Sequence, residues 1–233
     1  MTTPLPAPPA HRWREPEPSR AERRPAPKPR FSSRVSLVTV GERREILAES
    51  GLEAKAAFVL LARRDCASIV EQPPFVKYVD YDGVEHRHWF DLLLTRRDGT
   101  RIAFMVKPEK YVIKHGLRRL LAHIAPQLSA SFAHGVGLIT EKTLGRTLVH
   151  NAVLIHECKR DPDANADERI SEVVATLSGA TTVDCLIKAA GLEGDGFRAV
   201  VRAIADGMLE TCGNVRVNRA TWVRRTNLAG ACP

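Results

Sequence analysis

The sequence predicts an α/β protein: a mixed sheet flanked by helices, followed by a smaller helical unit closed by a hairpin. Three observations carry this. Two Asp-Gly pairs, Asp82-Gly83 and Asp98-Gly99, separate runs rich in β-branched and aromatic residues, the signal of strands joined by tight turns. Segments with apolar residues at helical spacing stand on either side of that region. A polar stretch, KRDPDANAD at 159–167, then divides the chain. The expected parts are an arm over 1–34, an α/β domain over 35–158 and a second domain over 159–233.

Residues 1–34 hold nine of the fifteen prolines, and eight Lys or Arg against three Glu. With so little to bury, they read as a disordered, polyproline-like basic arm. Such an arm is either a solvated tail or a contact for DNA or a partner. Order starts near Val35, where SLVTV and RREILAES read as short extended segments around Gly41. SGLEAKAAFVLLARRD reads as a helix ended by Asp65. Ser50 can cap it, Glu53 completes a capping box, and Leu52, Ala56, Val59 and Leu60 share a face. A strand meander follows from SIVEQPP to RIAFMV. The last of these runs is apolar on both faces, as in a central strand, and Pro108 stops it. EKYVIKHGLRRLLAHIAPQLS then reads as one helix, GVGLIT as a buried strand, and LGRTLVHNAVLIHECK as another helix.

Beyond the polar stretch, ERISEVVATLSG, TTVDCLIKAAG and GDGFRAVVRAIADG read as three helices, and MLETCGNVRVNRATWVRR as a hairpin. Three helices and a β-wing make a winged helix-turn-helix. In its last helix Phe197, Val200, Val201, Ile204 and Met208 share one face, and Arg198 and Arg202 stand four apart on another. Those arginines are candidates to read DNA. Winged helices serve equally often as protein contacts, and Asp195 and Asp206 flank the same helix.

The totals narrow the class. A length of 233 residues allows one large domain or two small ones. No apolar run approaches the ~18 residues of a membrane span, and the N-terminus lacks an apolar h-region. A cytoplasmic protein without a membrane partner is expected. Cysteines 66, 158, 185, 212 and 232 are scattered without a CxxC pair, which argues against a disulfide framework or a structural zinc site. A net charge of +8 suits a polyanionic partner such as DNA.

The chemistry-bearing pattern lies in HWFDLLLTRRDGTRIAFMVKP. Asp91 lies seven residues before Asp98 and Lys107 eight after Gly99, so both fall near one end of a hairpin. Metal-dependent nucleases use carboxylates to hold Mg²⁺ beside the scissile phosphate and a cation to orient water and offset developing charge. In one large group, an acidic residue begins a strand. The next strand then offers a ligand two residues before a lysine, because alternate residues share a face. Asp91, Lys107 and, from the preceding helix, Glu53 fit that pattern. An ordinary ion pair between solvated charges is the plain alternative. His86 and His88 fall on one strand face as a possible metal pair with no third ligand at sensible spacing. Lys110, Lys114 and Arg118 step by four along the helix after Lys107, either as a solvated face or as a stripe beside a phosphate backbone.

Between about residues 35 and 158 the chain resembles the TnsA-type heteromeric transposase endonucleases. The pieces that carry the resemblance are ESGLEAKAAFVLLARRD, VEQPPFVKYVDYDG, HRHWFDLLLTRRDG, MVKP and GLITEKTL…HNAVLIH, with an Asp-x(15)-Lys-Pro spacing. The winged-helix tail also looks like that family's C-terminal half. The resemblance implies a restriction-endonuclease-like PD-(D/E)xK core, with Glu53, Asp91 and Lys107 as catalytic residues. It implies an Mg²⁺-dependent cut of the 5′ strands at transposon ends. It also implies two partners, a DDE-type transposase and an AAA+ ATPase regulator, the latter contacted by the C-terminal half.

The sequence departs from that family at Met105, where Glu or Gln stands two residues before the lysine, and more mildly at Phe90, where proline is common. A thioether is a poor Mg²⁺ ligand. Three readings follow. Glu53, Asp91 and the Val106 carbonyl hold the metal. Glu71 supplies the missing carboxylate. Or cleavage is impaired, and the chain is an adaptor that binds DNA and its transposase and ATPase partners. Without the resemblance, a winged-helix DNA-binding regulator with an α/β domain is the remaining alternative.

Overall fold

The computed structural model describes residues 14–23 and 34–226. The chain is mixed α/β, with several sheets and seven α-helices among the described residues. The central sheet has four strands, β3 (Cys66–Glu71), β6 (Leu92–Arg96), β7 (Arg101–Val106) and β8 (Gly135–Ile139), adjacent in that order. β6 runs antiparallel to β3 and to β7, while β8 runs parallel to β7. A parallel neighbour needs a crossover. It is built from α2 (Glu109–Lys114), α3 (Leu117–Ile124) and a short 3-10 turn over Ala125–Gln127.

Each face of the sheet buries a different set of side chains. On one face, α1 (Gly51–Leu61), the hairpin β1 (Val35–Val38) and β2 (Glu45–Ala48), and α4 (Arg146–Arg160) enclose Ile46, Ala56, Leu60, Ile69, Leu94 and Val106. On the other, α2 and α3 cover Phe90, Ala103, Met105, Val112, Leu121 and Ile124. β7 contributes to both cores, as its two-faced apolar pattern predicts. The C-terminal segment runs α5 (Ala164–Thr176), β9 (Ala180–Thr182), α6 (Val183–Ala189), α7 (Gly196–Asp206), β10 (Leu209–Thr211) and β11 (Trp222–Arg225). Its three strands pair in the order β10-β11-β9 over a core that includes Ile170, Val174, Leu186, Val200 and Val223. No described helix is long and apolar enough to cross a membrane.

Local chemistry explains most boundaries. Ser50 caps α1 by accepting the Glu53 amide, so the capping-box pattern marks a real helix start. The helix ends at Leu61 with Ala62 as its C-cap, short of Asp65, which pairs with the Arg63 Nε and Nη2 at 2.8 and 2.7 Å. At Asp98-Gly99 the glycine adopts φ +84° and the Asp98 side chain accepts the Thr100 amide, closing the turn between β6 and β7.

Several expectations are corrected. The meander is interrupted: β4 (Val76–Val79) and β5 (Glu85–His88) leave the central sheet and, among the described residues, pair with each other alone. The helix after Pro108 is two helices. His115 ends α2, and Gly116 adopts φ +59° before α3 begins, a left-handed conformation that glycine accepts readily. β8 is an edge strand, mostly half-buried rather than fully covered. Much of KRDPDANAD is helical, since α4 runs to Arg160 and α5 starts at Ala164 behind an Asp163 cap.

The arm expected to be disordered over 1–34 is ordered in its middle. Glu17 pairs in parallel with Arg44, donating to the Arg43 carbonyl and accepting from the Glu45 amide at 3.0 and 2.8 Å. Ser19 donates to the Glu71 carboxylate, and the Glu22 amide to the Gln72 carbonyl. The remainder of that arm, apart from Arg34, lies outside the described residues.

Candidate active site

Of the three residues predicted to carry chemistry, Asp91 and Lys107 meet where β6 begins and β7 ends, and Glu53 lies within reach of their charges. Asp91 sits just before β6, 7% exposed, anchored by its amide to the Phe104 carbonyl and by its carbonyl to the Gln72 amide, both at 2.9 Å. Its Oδ2 accepts the Val106 amide at 2.7 Å. The Lys107 Nζ donates to both carboxylate oxygens at 3.1 Å. Lys107 reaches back because its strand passes Asp91 in antiparallel register. N–H and C=O of one strand residue point to the same side, so the Val106 carbonyl also faces the Asp91 side.

Glu53 comes from the first turn of α1 and is 8% exposed. Its Oε2 accepts the Glu49 amide at 2.9 Å and its Oε1 the Ser50 hydroxyl at 3.0 Å. Burial, and then the negative charge of Asp91, push the Glu53 carboxyl above the ordinary carboxylate range. The Glu49 and Ser50 hydrogen bonds and the Lys107 charge pull the other way. The buried Glu53 carboxyl thus feels the charges of both Asp91 and Lys107, and the like charge of Asp91 disfavours its ionisation.

Met105 contributes nothing polar. It is 2% exposed and packs with Phe90, Val112 and Leu121 on the α2–α3 side. Glu71 does not replace it. That carboxylate is 2% exposed and spent on the Arg44 guanidinium at 3.1 Å, with Ser19 and the Leu47 amide completing its shell. Of the three readings of Met105, the one in which Glu71 supplies the missing carboxylate is therefore corrected. Among the described residues, no group of three or more His, Cys, Asp or Glu is arranged to hold a metal. His86 and His88 do not act together. His86 bonds Asp80 at 2.6 Å at the far end of the ribbon, while His88 stacks edge-on against Phe90. Burial pushes His88 below its usual range, partly offset by the charge of Asp91.

The predicted nucleic-acid contacts fare unevenly. Lys110 and Lys114 are exposed on α2. Arg118 belongs to the next helix, beyond the Gly116 break, and clamps both oxygens of Glu109 at 2.9 and 3.1 Å. A single continuous stripe is therefore corrected to two exposed lysines and a paired arginine. Arg202 is 5% exposed, with Asp167 on its Nε at 2.8 Å and the Cys158 and Asp161 carbonyls on its Nη1 at 3.1 Å. Arg198 donates to the Glu157 carbonyl and pairs with Asp161. Both turn toward the α4–α5 junction, so the expectation that Arg202 reads DNA is corrected. Seven residues of α7 are buried, which leaves no free reading face of the kind a recognition helix needs. Arg202→Ala is expected to destabilise the chain by about 2 kcal/mol through lost charge-assisted hydrogen bonds. DNA affinity should stay unchanged; denaturant melts beside a gel shift check both.

The sequence reading missed two features. Gln72 adopts φ +43° while buried, tying its amide to Asp91. The outward face of the β4–β5 ribbon carries Phe75, Arg87 and Trp89, the last of them two residues before Asp91 in the chain. The alternation in HRHWF was a readable signal for the second. Comparisons with protein-family models and with curated proteins find no match for this chain.

Proposed function

We propose that this chain is a divalent-metal-dependent DNA endonuclease with a restriction-endonuclease-like core, acting as one subunit of a transposition machine. One observation carries the reading. Asp91 is gripped by the Val106 amide and the Lys107 ammonium, within the electrostatic reach of the buried Glu53. Two carboxylates and a lysine from separate parts of the chain supply the kinds of group that metal-dependent hydrolysis of a phosphodiester uses. The order of a helix, three antiparallel strands, a helical crossover and a fourth parallel strand supports the same core.

The donors fit Mg²⁺. This ion takes oxygen ligands, keeps several waters and is commonly held by one or two carboxylates. Glu53 and Asp91 would hold it, with the Val106 carbonyl alongside. When bound, the metal supplies Lewis-acid polarisation of the phosphate and an acidified water. The chain's own residues do the rest. The Glu49 amide and Ser50 hydroxyl fix the Glu53 carboxylate, and the Val106 amide fixes that of Asp91. Lys107, about one-third exposed, places positive charge where the phosphorane accumulates negative charge.

The order of β9, α6, α7, β10 and β11 after α5 supports a winged-helix reading of the C-terminal unit. The inward turn of Arg198 and Arg202 favours a protein partner over DNA for that unit, in line with an AAA+ ATPase and a DDE-type transposase as companions. A second reading, an adaptor on a nuclease scaffold with impaired chemistry, is favoured by Met105 alone.

Calorimetry with Mn²⁺ and Mg²⁺ separates the two readings. The parent is expected to bind, and Asp91→Ala to lose binding. Met105→Glu places a carboxylate among Phe90, Val112 and Leu121, so it should melt lower than the parent without metal and gain thermal stability when Mn²⁺ is added. Binding by Met105→Glu but not by the parent would replace the nuclease reading with the adaptor.

A further inference from the structure

The β4–β5 ribbon has two unlike faces. Val76 and Tyr78 turn inward onto the α2–α3 core, where Tyr78 stacks on His86 at 5.5 Å. The opposite face carries aromatic rings and cations. Phe75 and Trp89 lie with ring centroids 5.6 Å apart, and the Arg87 guanidinium sits 4.7 Å over the Phe75 ring. Lys77 stands opposite Arg87 in the register and pairs with Glu85 at 2.9 Å. Trp89 is 42% exposed. The solvent face of a two-stranded ribbon is ordinarily polar, and here a half-exposed indole is grouped with a second ring and a guanidinium.

Position and charge say what this group suits. Only Phe90 separates Trp89 from Asp91, and the Gln72 amide that bonds the Asp91 carbonyl lies three residues before Phe75. A strand whose phosphate reaches Asp91 and Lys107 therefore has its neighbouring nucleotides beside this ribbon. Flat rings accept the π-face of any base, and the Arg87 guanidinium suits a phosphate between bases. Lys77 is neutralised by Glu85, but a protein partner with an apolar surface would bury the Arg87 guanidinium without a carboxylate to pair it. Intact duplex offers no free base face, because its bases are stacked on one another.

Resting on the nuclease reading for its choice of ligand, we propose that Phe75, Arg87 and Trp89 form a stacking platform for unpaired DNA bases beside the scissile phosphate. The preferred substrate is then a single-stranded or frayed DNA segment rather than intact duplex.

The test uses the full chain without divalent metal, so that nothing is cut. Anisotropy titrations compare a labelled oligothymidylate with a blunt duplex of the same length. The parent is expected to bind the single strand more tightly. Trp89→Ala should weaken that binding about tenfold, as loss of one base–aromatic stack does, and leave duplex binding alone. Trp89→Phe should keep most of the affinity. Trp222→Ala, which removes another exposed indole on β11, should change nothing. Equal single-strand affinity of the parent and Trp89→Ala overturns the platform. So does concentration-dependent self-association that Trp89→Ala abolishes while no oligonucleotide binds, since the face then belongs to a protein contact. Loss of the nuclease reading looks different: the parent fails to bind Mn²⁺ or Mg²⁺ in calorimetry, while Trp89-dependent stacking persists.

Discussion

Replacing Arg44 with methionine is expected to lower the thermal midpoint by about 10 °C. The Arg44 and Glu71 side chains are 1% and 2% exposed, and their ion pair spans 3.1 Å. The guanidinium also donates to the Ile69 carbonyl and to Glu42. Removing one partner leaves the Glu71 carboxylate buried with only the Ser19 hydroxyl and the Leu47 amide, neither of which carries a compensating charge. Breaking such a buried pair from one side costs about 3–5 kcal/mol. For a chain of this size each kcal/mol moves the midpoint by about 2–4 °C. The double variant Arg44→Met/Glu71→Leu should regain most of the loss, because apolar replacement of both partners is often neutral or better. Thermal unfolding of both variants decides it. A single variant that melts with the parent would mean that the pair is already solvated in the folded state. Amide exchange should also quicken at Glu17 and Glu22, since Ser19 loses an acceptor that ties residues 14–23 to the fold.

Features set by near neighbours in the chain were legible in the sequence. The Ser50–Glu53 cap and the Asp98-Gly99 turn are interactions over a few residues, and residue type alone selects them. The convergence of Asp91 and Lys107 was legible for a related reason: antiparallel register about a known turn fixes who meets whom. The break at Gly116 was also written in the chain, but the continuous apolar spacing on either side masked it. Arg202 shows where such reading stops. A helical wheel separates two faces of α7 and says nothing about what packs on the second. The answer came from Asp167 and Cys158, which are 35 and 44 residues away. Residues 14–23 are a similar case. Their proline-rich composition cannot build a core, yet three backbone hydrogen bonds, to Arg43, Glu45 and Gln72, a hydroxyl on Glu71 and arginine contacts dock them on a core built elsewhere. Met105 is the converse. The sequence marked it as a missing ligand, and the structure explains where its side chain went, into the α2–α3 core.

Glu53→Gln should reduce metal-dependent cleavage by about a hundredfold or more, the scale set by losing one transition-state-stabilising group, without lowering stability at pH 7. The two effects have one cause. Burial and the Asp91 charge raise the Glu53 pKa in the folded chain. Between the unfolded and folded pKa values the native state binds more protons than the unfolded one, so stability falls as pH rises through that window. Above it, ionised Glu53 carries a standing cost. Glutamine removes that cost and keeps the local bonds, since its Oε1 can accept the Glu49 amide and its amide can donate to the Ser50 hydroxyl. Metal affinity runs the opposite way with pH. A cation competes with the proton for Glu53, so binding should weaken on acidification at a higher pH than an unperturbed glutamate would give. Asp91→Asn differs in a telling way. It leaves Lys107 without its carboxylate partner and weakens the acceptor of the Val106 amide, so it should cost both cleavage and stability. Thermal melts of the two variants across pH 5–8, alongside nicking of labelled DNA with the protein partners present, test the pair. If Glu53→Gln melts below the parent at pH 7, the carboxylate is a structural cap and not the strained half of a metal site. A melt at or above the parent's with lost cleavage identifies Glu53 as a carboxylate that the chemistry needs and the fold does not.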